Sequence, residues 1–137
     1  MPKLFTPGKI CIVTAGRYAG KKCVVVESHE STKDRTYGHV LVAGIDRAPL
    51  AVTKRMSNEK VDRRSRVKPF LKVMNATHVM ATRYTLDGFR MKELVLPKNP
   101  CTDVKASRSS ALQQIKNKFQ NIYKDGKNKW FFNKLRF

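Results

Sequence analysis

Residues 16–22 read Gly-Arg-Tyr-Ala-Gly-Lys-Lys and lie between two apolar runs, residues 10–13 and 23–26. Glycines four apart at Gly16 and Gly20 allow positive φ and close approach to another chain, which a Cβ makes costly. The loop therefore offers Arg17, Tyr18, Lys21 and Lys22 from a tight turn that contains no acid. Cations grip phosphate oxygens and an aromatic face stacks on an unpaired base, so this loop has the chemistry to hold a nucleic-acid backbone. A hairpin that keeps its charges in water carries the same residues, and the loop alone leaves both readings open.

Two other segments carry the same chemistry. In residues 54–66, Lys54, Arg55, Lys60, Arg63, Arg64 and Arg66 face only Glu59 and Asp62, with few apolar residues to anchor them. Such a segment is either a solvated charge run or an arm that orders on an RNA surface. The last eleven residues, Lys-Asn-Lys-Trp-Phe-Phe-Asn-Lys-Leu-Arg-Phe, interleave cations with Trp130, Phe131, Phe132 and Phe137. RNA satisfies both residue types at once, through stacking and counter-charge. The competing expectation is that the aromatics fold back as a core cap and the lysines are solvated; a mixture of the two also fits.

Catalysis has no motif to stand on. The sequence holds no Gly-x-x-x-x-Gly-Lys-Ser/Thr loop, no Gly-x-Gly-x-x-Gly and no His-Glu-x-x-His. His29, His39 and His78 are scattered, and the spacings of Cys11, Cys23 and Cys101 match neither a zinc ribbon nor a redox Cys-x-x-Cys. Cys11 and Cys23 fall inside apolar runs and read as small buried hydrophobes. No enzyme activity, cofactor, metal or small-molecule substrate is expected.

Charge sets the class of partner. The 137 residues hold 29 Lys and Arg against 10 Asp and Glu, a formal net charge of +19. That imbalance opposes folding unless an anion neutralises it, and nucleic acid is the natural candidate. The charge is +6 through Lys60 and +13 after it, so the second half should carry more of the contact. No run reaches the ~20 apolar residues that span a bilayer. The first residues also lack a signal-peptide core. A soluble intracellular protein without membrane contact is the expectation.

The elements that must position these groups are mainly β. Strands are expected over residues 9–14, 22–28, 37–45, 50–53 and 67–74, with strand or irregular extension over 75–86. Short strands at this spacing favour a small closed barrel, because closure removes exposed edges. From Leu112, the apolar residues Ile115, Phe119, Ile122 and Tyr123 recur at offsets of 3, 7, 10 and 11, the stripe of an amphipathic helix. Ser107 is the expected N-cap and Asp125-Gly126 the stop. The organisation is thus a barrel over residues 1–86 with the basic arm 54–66 inserted. An irregular connector (87–106), a helix (107–125) and a basic-aromatic tail (126–137) follow.

On this scaffold the phosphate-contacting candidates are Lys9, Arg17, Lys21 and Lys22 at the hairpin, and Arg55, Arg63, Arg64, Arg66, Lys68 and Lys72 on the arm and the strand after it. Arg83 joins them, with Lys116 and Lys118 on the helix and Lys127, Lys129, Lys134 and Arg136 in the tail. Tyr18 and Trp130 are the candidates for stacking on a base.

The segment from Gly8 to Val13, followed by Gly16 to Lys21, resembles the KOW motif of ribosomal proteins and transcription elongation factors. Three further blocks sharpen the likeness. They are His39 to Arg47; Phe70 to Asn75 with His78 and Thr82-Arg83-Tyr84; and the closing stretch from Lys124 to Phe137. Together these resemble, from first residue to last, the family of eukaryotic large-subunit ribosomal proteins numbered twenty-seven in the eukaryotic series. The resemblance implies an SH3-like barrel with basic extensions, bound to large-subunit ribosomal RNA beside other ribosomal proteins in the cytosolic ribosome. It also implies passage through the nucleus or nucleolus during assembly, and neither enzyme activity nor a cofactor. The alternative is a KOW-type transcription elongation or RNA-processing factor.

Overall fold

The computed structural model describes residues 4–86, 105–126 and 128–136, with side chains of the C-terminal helix from Ser109 onward. Most of the expected connector, together with Cys101 and Lys127, lies outside the described residues.

Five antiparallel strands form one sheet: β1 (Lys9–Val13), β2 (Lys22–His29), β3 (His39–Arg47), β4 (Lys68–Asn75) and β5 (Val79–Thr85), in the order β4-β3-β2-β1-β5. The two outer strands are joined by a single 3-10 turn, Ala76–His78. Four chain steps reach at most about 14 Å. A flat sheet would hold its first and fifth strands about 19 Å apart. The sheet must therefore curl until its outer strands meet at that end, a small barrel-like fold. Irregular register at Lys9/Cys11, Val25/Glu27 and Ile45/Arg47 marks bulges, which bend strands and increase their twist.

Alternation along the strands separates two cores. Cys11, Val13, Cys23, Val25, Val40, Val42, Phe70, Met74 and Val79 fill the concave side. Ile10, Val24, Val26, Leu41, Ala43, Ile45 and Leu71 point to the convex side and are also buried. Strands buried on both faces read as unbroken apolar runs, which is why residues 23–26 and 40–43 show no polar alternation. The cover for the convex face is α2 (Lys105–Lys124), which lays Ala111, Ile115, Phe119 and Ile122 on it, and the short α3 (Lys129–Phe132), which adds Phe131 and Phe132. Phe119 and Phe131 meet edge to face at 5.4 Å, and each buried ring contributes roughly 1.5–3 kcal/mol. Gly126, at φ 75, takes the left-handed conformation that ends α2 and lets the tail turn back.

Three sequence expectations need correction. Residues 50–53 form no strand and pair with none of the five. Instead the Leu50 amide donates to the Arg64 carbonyl at 2.8 Å, tying this segment to the arm. The arm itself contains a helix, α1 (Asn58–Arg64), although none of its residues is buried. Ser57 caps it by accepting from the Lys60 amide, Glu59 lies in its first turn and Arg63 and Arg64 in its last, the polarity that complements a helix dipole. Finally, Ser107 lies inside α2 and does not cap it; Lys105 and Ala106 are good helix formers and extend the first turn past it.

Gly44 is the tightest point of the barrel. A Cβ there would sit 2.4 Å from Phe70 Cζ and 2.7 Å from the Lys22 carbonyl oxygen. The Phe70 ring lies across this glycine, and the Tyr18 ring stacks on Phe70 at 4.1 Å with planes 4° apart. Replacing Gly44 with Ala should cost about 1–3 kcal/mol through displacement of that ring, read as a lower midpoint in urea unfolding with unchanged slope.

Candidate nucleic-acid interface

The KOW-like turn is built as its glycines require. Gly16 and Gly20 take φ of 89° and 81°, and Gly20 donates to the Val13 carbonyl at 2.7 Å to close the loop. Arg17 is exposed at the tip and Lys21 half-buried. Tyr18 is half-buried with one face occupied by Phe70, while Arg17 and Lys72 each approach its ring at 5.8 Å. Stacking on a base is thus confined to what remains of one face.

Lys22 is turned away from the tip and engaged by the tail. It is only 4% exposed, and its ammonium donates to the carbonyls of Trp130 and, at 2.6 Å, Asn133 while lying 4.0 Å from the centre of the Trp130 ring. Burial pushes its pKa below the ordinary lysine value. Two carbonyls and an indole face replace the lost water, so this residue latches the tail to the barrel. Trp130 is corrected with it. One ring is shared between Lys22 and Tyr84, whose ring centre is 4.9 Å away, and Phe131 and Phe132 are core residues. Trp130, Phe131 and Phe132 fold back as a cap, Phe137 lies outside the described residues, and Lys129, Lys134 and Arg136 remain exposed.

The remaining cations gather elsewhere. Arg63, Arg64, Arg66, Lys68 and Lys116 line one cleft of about 310 Å³ together with Arg47. Four elements supply them: the end of β3, the end of α1, the start of β4 with the residue pair before it, and the middle of α2. Arg64 is held in place by donating to the Ala51 carbonyl at 3.0 Å. Lys68 meets Asp46 at 3.6 Å, an exposed pair of little energetic weight. Arg47, Arg63, Arg66 and Lys116 have no acidic partner among the described residues. A second cleft, of about 330 Å³, shares Arg47, Ala48 and Leu50 with the first and adds Lys21 and Lys134, so the two form one continuous basic face. Lys9, Arg55, Arg83, Lys118 and Arg136 fall outside both clefts, and Lys129 borders a third with Lys124.

Sequence reasoning missed Arg47. No motif marks it; its neighbour Asp46 pairs with Lys68, and the guanidinium lines the cleft. The histidines form no catalytic group: His29 and His39 have ring centres 5.2 Å apart at one end of the sheet, and His29 meets Glu27 at the surface. No cluster of three or more His, Cys, Asp or Glu could hold a metal among the described residues, and no described helix is long and apolar enough to cross a membrane.

A small β-barrel buttressed by a C-terminal helix, with six cations gathered around one cleft, defines a basic barrel protein. The family model for the ribosomal L27e proteins matches residues 10–137, and the chain belongs to that family. It is 46% identical to the large ribosomal subunit protein eL27 of Caenorhabditis elegans and 45% identical to eL27B of Schizosaccharomyces pombe, over the whole of each chain. Identity to eL27 of Candida albicans is 46%, again over the whole of both chains.

Two outcomes follow from this geometry. Lys22→Met keeps the alkyl stem but removes the ammonium from the carbonyls of Trp130, which retains the Asn133 amide, and of Asn133. It should cost about 2 kcal/mol and expose residues 128–136 to limited proteolysis while α2 stays protected. The buried thiols give a pH signature: burial raises Cys11 from 9.0 to about 11 and Cys23 further still. Unfolded thiols lose protons that the folded protein retains, so the stability these groups contribute below pH 9 is lost as pH rises toward 11. Denaturant midpoints should fall across that window, and fall less steeply in Cys11→Ala.

Proposed function

We propose that the protein is a structural constituent of the large subunit of the cytosolic ribosome, where it binds and stabilises ribosomal RNA. The observation that carries this reading is membership of the ribosomal L27e family across residues 10–137. The physical support is the continuous basic face, since six cations around one cleft, with Asp46 their one acidic partner among the described residues, attract an anion. The barrel and its helical cover act as a rigid anchor. Arg47, Arg63, Arg64, Arg66, Lys68 and Lys116, with Lys21 and Lys134 beside them, neutralise phosphates where RNA segments pack against the protein. Positioning is the work, and no bond of the RNA is made or broken. Neighbouring ribosomal proteins adjoin it, and assembly of the subunit takes it through the nucleolus. The relatives above are all named as ribosomal proteins, and the elongation-factor alternative gains no support from them.

Sedimentation tests this reading. A constitutive subunit protein should stay with large subunits through a high-salt sucrose gradient, whereas a transient factor would be washed off. Release of the wild-type protein into the soluble fraction overturns the proposal. For free RNA, engagement of the eight named cations should give a slope of log affinity against log salt on the order of −6 to −7.

A further inference from the structure

We infer that the cleft between α1 and α2 takes a point in the RNA where two backbone segments converge, and that a single smooth strand cannot fill it. This deepens the ribosomal-RNA reading and rests on it. Its six cations come from four separate elements and surround a concavity of about 310 Å³. A phosphate backbone running along a regular duplex offers its charges in a line. A line can meet the cations on one wall of a concave site, but those on the facing wall are left with water. A sharp turn or a junction brings phosphates from two directions into one small volume, where they repel one another unless cations surround them.

The residue types agree. Four of the six cations are arginines, whose planar forks bind phosphate oxygens in pairs and fix geometry as a lysine does not. Arg47, Arg63 and Arg66 are exposed, with no acidic partner among the described residues. Lys116 is half-buried on α2 and faces them across the cleft wall. Arg64 is oriented by the Ala51 carbonyl, and Leu50, bonded to the Arg64 carbonyl, holds the α1 side of the cleft to the end of β3. Both walls are thus fixed to the barrel, so the cleft is matched to a preformed RNA shape and not to a sequence.

The test compares two RNAs of equal length and composition, a three-way junction and a linear duplex, titrated against the full-length protein over a range of salt. The wild-type protein should bind the junction with the steeper salt slope and the higher affinity. The triple variant Arg47→Gln/Arg63→Gln/Lys116→Gln should lose about three units of slope on the junction and less than one on the duplex, so that the preference disappears. An unchanged thermal midpoint in that variant confirms that the fold is intact. As a control, Arg17→Gln/Lys21→Gln at the hairpin should weaken both RNAs equally. Equal wild-type slopes on the two RNAs, or a triple variant that weakens both alike, overturns the inference while leaving the ribosomal reading standing. That reading fails separately, if the wild-type protein does not sediment with large subunits.

Discussion

Burial of the sheet on both faces is the constraint from which the rest of the architecture follows. Val24, Val26, Leu41 and Ala43 are as deeply buried as Cys23, Val25, Val40 and Val42, so a curled five-stranded sheet alone would expose a broad apolar convex surface. The chain covers that surface with its own C-terminal half. Helix α2 supplies one stripe, and the turn at Gly126 returns Phe131 and Phe132 to complete it. The aromatic tail therefore belongs to the core, and only its cations are left for a partner. Lys22 secures the arrangement from the barrel side, with its ammonium satisfied by the carbonyls at the end of α3. A buried cation is tolerated there because the last carbonyls of a helical turn carry partial negative charge, and the Trp130 carbonyl takes the ammonium in addition to the Asn133 amide.

Much of this fold was legible in the sequence because it depends on local signals. The hairpin glycines announce their positive φ, the apolar runs announce strands, and the stripe from Leu112 to Tyr123 announces α2. Helix α1 was not legible, since its apolar content is too low to show a period and its cap, Ser57, is one serine among several polar residues. The false strand at residues 50–53 fails because composition allows a strand there, but the Leu50 amide is taken by the Arg64 carbonyl and the segment joins the arm, not the sheet.

The site was legible as a kind and less so as a place. Residue types alone identify a cation-rich surface, yet the same types served two purposes that only packing separates. Lys22 shares the parity of Val24 and Val26 along β2, which puts it on the convex face. Nothing in the sequence says that this face is covered by the tail. Trp130 looks like a stacking residue until Lys22 is found on its ring. Arg47 carries no signal of its own in the sequence, and it lines the cleft while its neighbour Asp46 turns to a lysine 22 positions away. Each error comes from a contact distant in sequence, and each moves the interface away from the hairpin and tail toward the cleft beside α1.

The location of that cleft has an energetic logic. One of its walls is lightly packed: α1 buries no residue and is joined to the barrel by backbone and side-chain hydrogen bonds between residues 50–51 and Arg64. Six cations in so small a volume repel one another, which costs the free protein stability. An anion that enters the cleft removes this repulsion and supplies the acceptors that the guanidinium groups lack. It binds the ordered form in preference to any opened one, and so stabilises the segment in proportion to its own affinity. The deep aromatic core holds the two halves of the chain together without RNA, while the charged cleft is completed only by its partner. Segregating the two lets the protein fold on apolar burial and reserve its excess charge for the RNA.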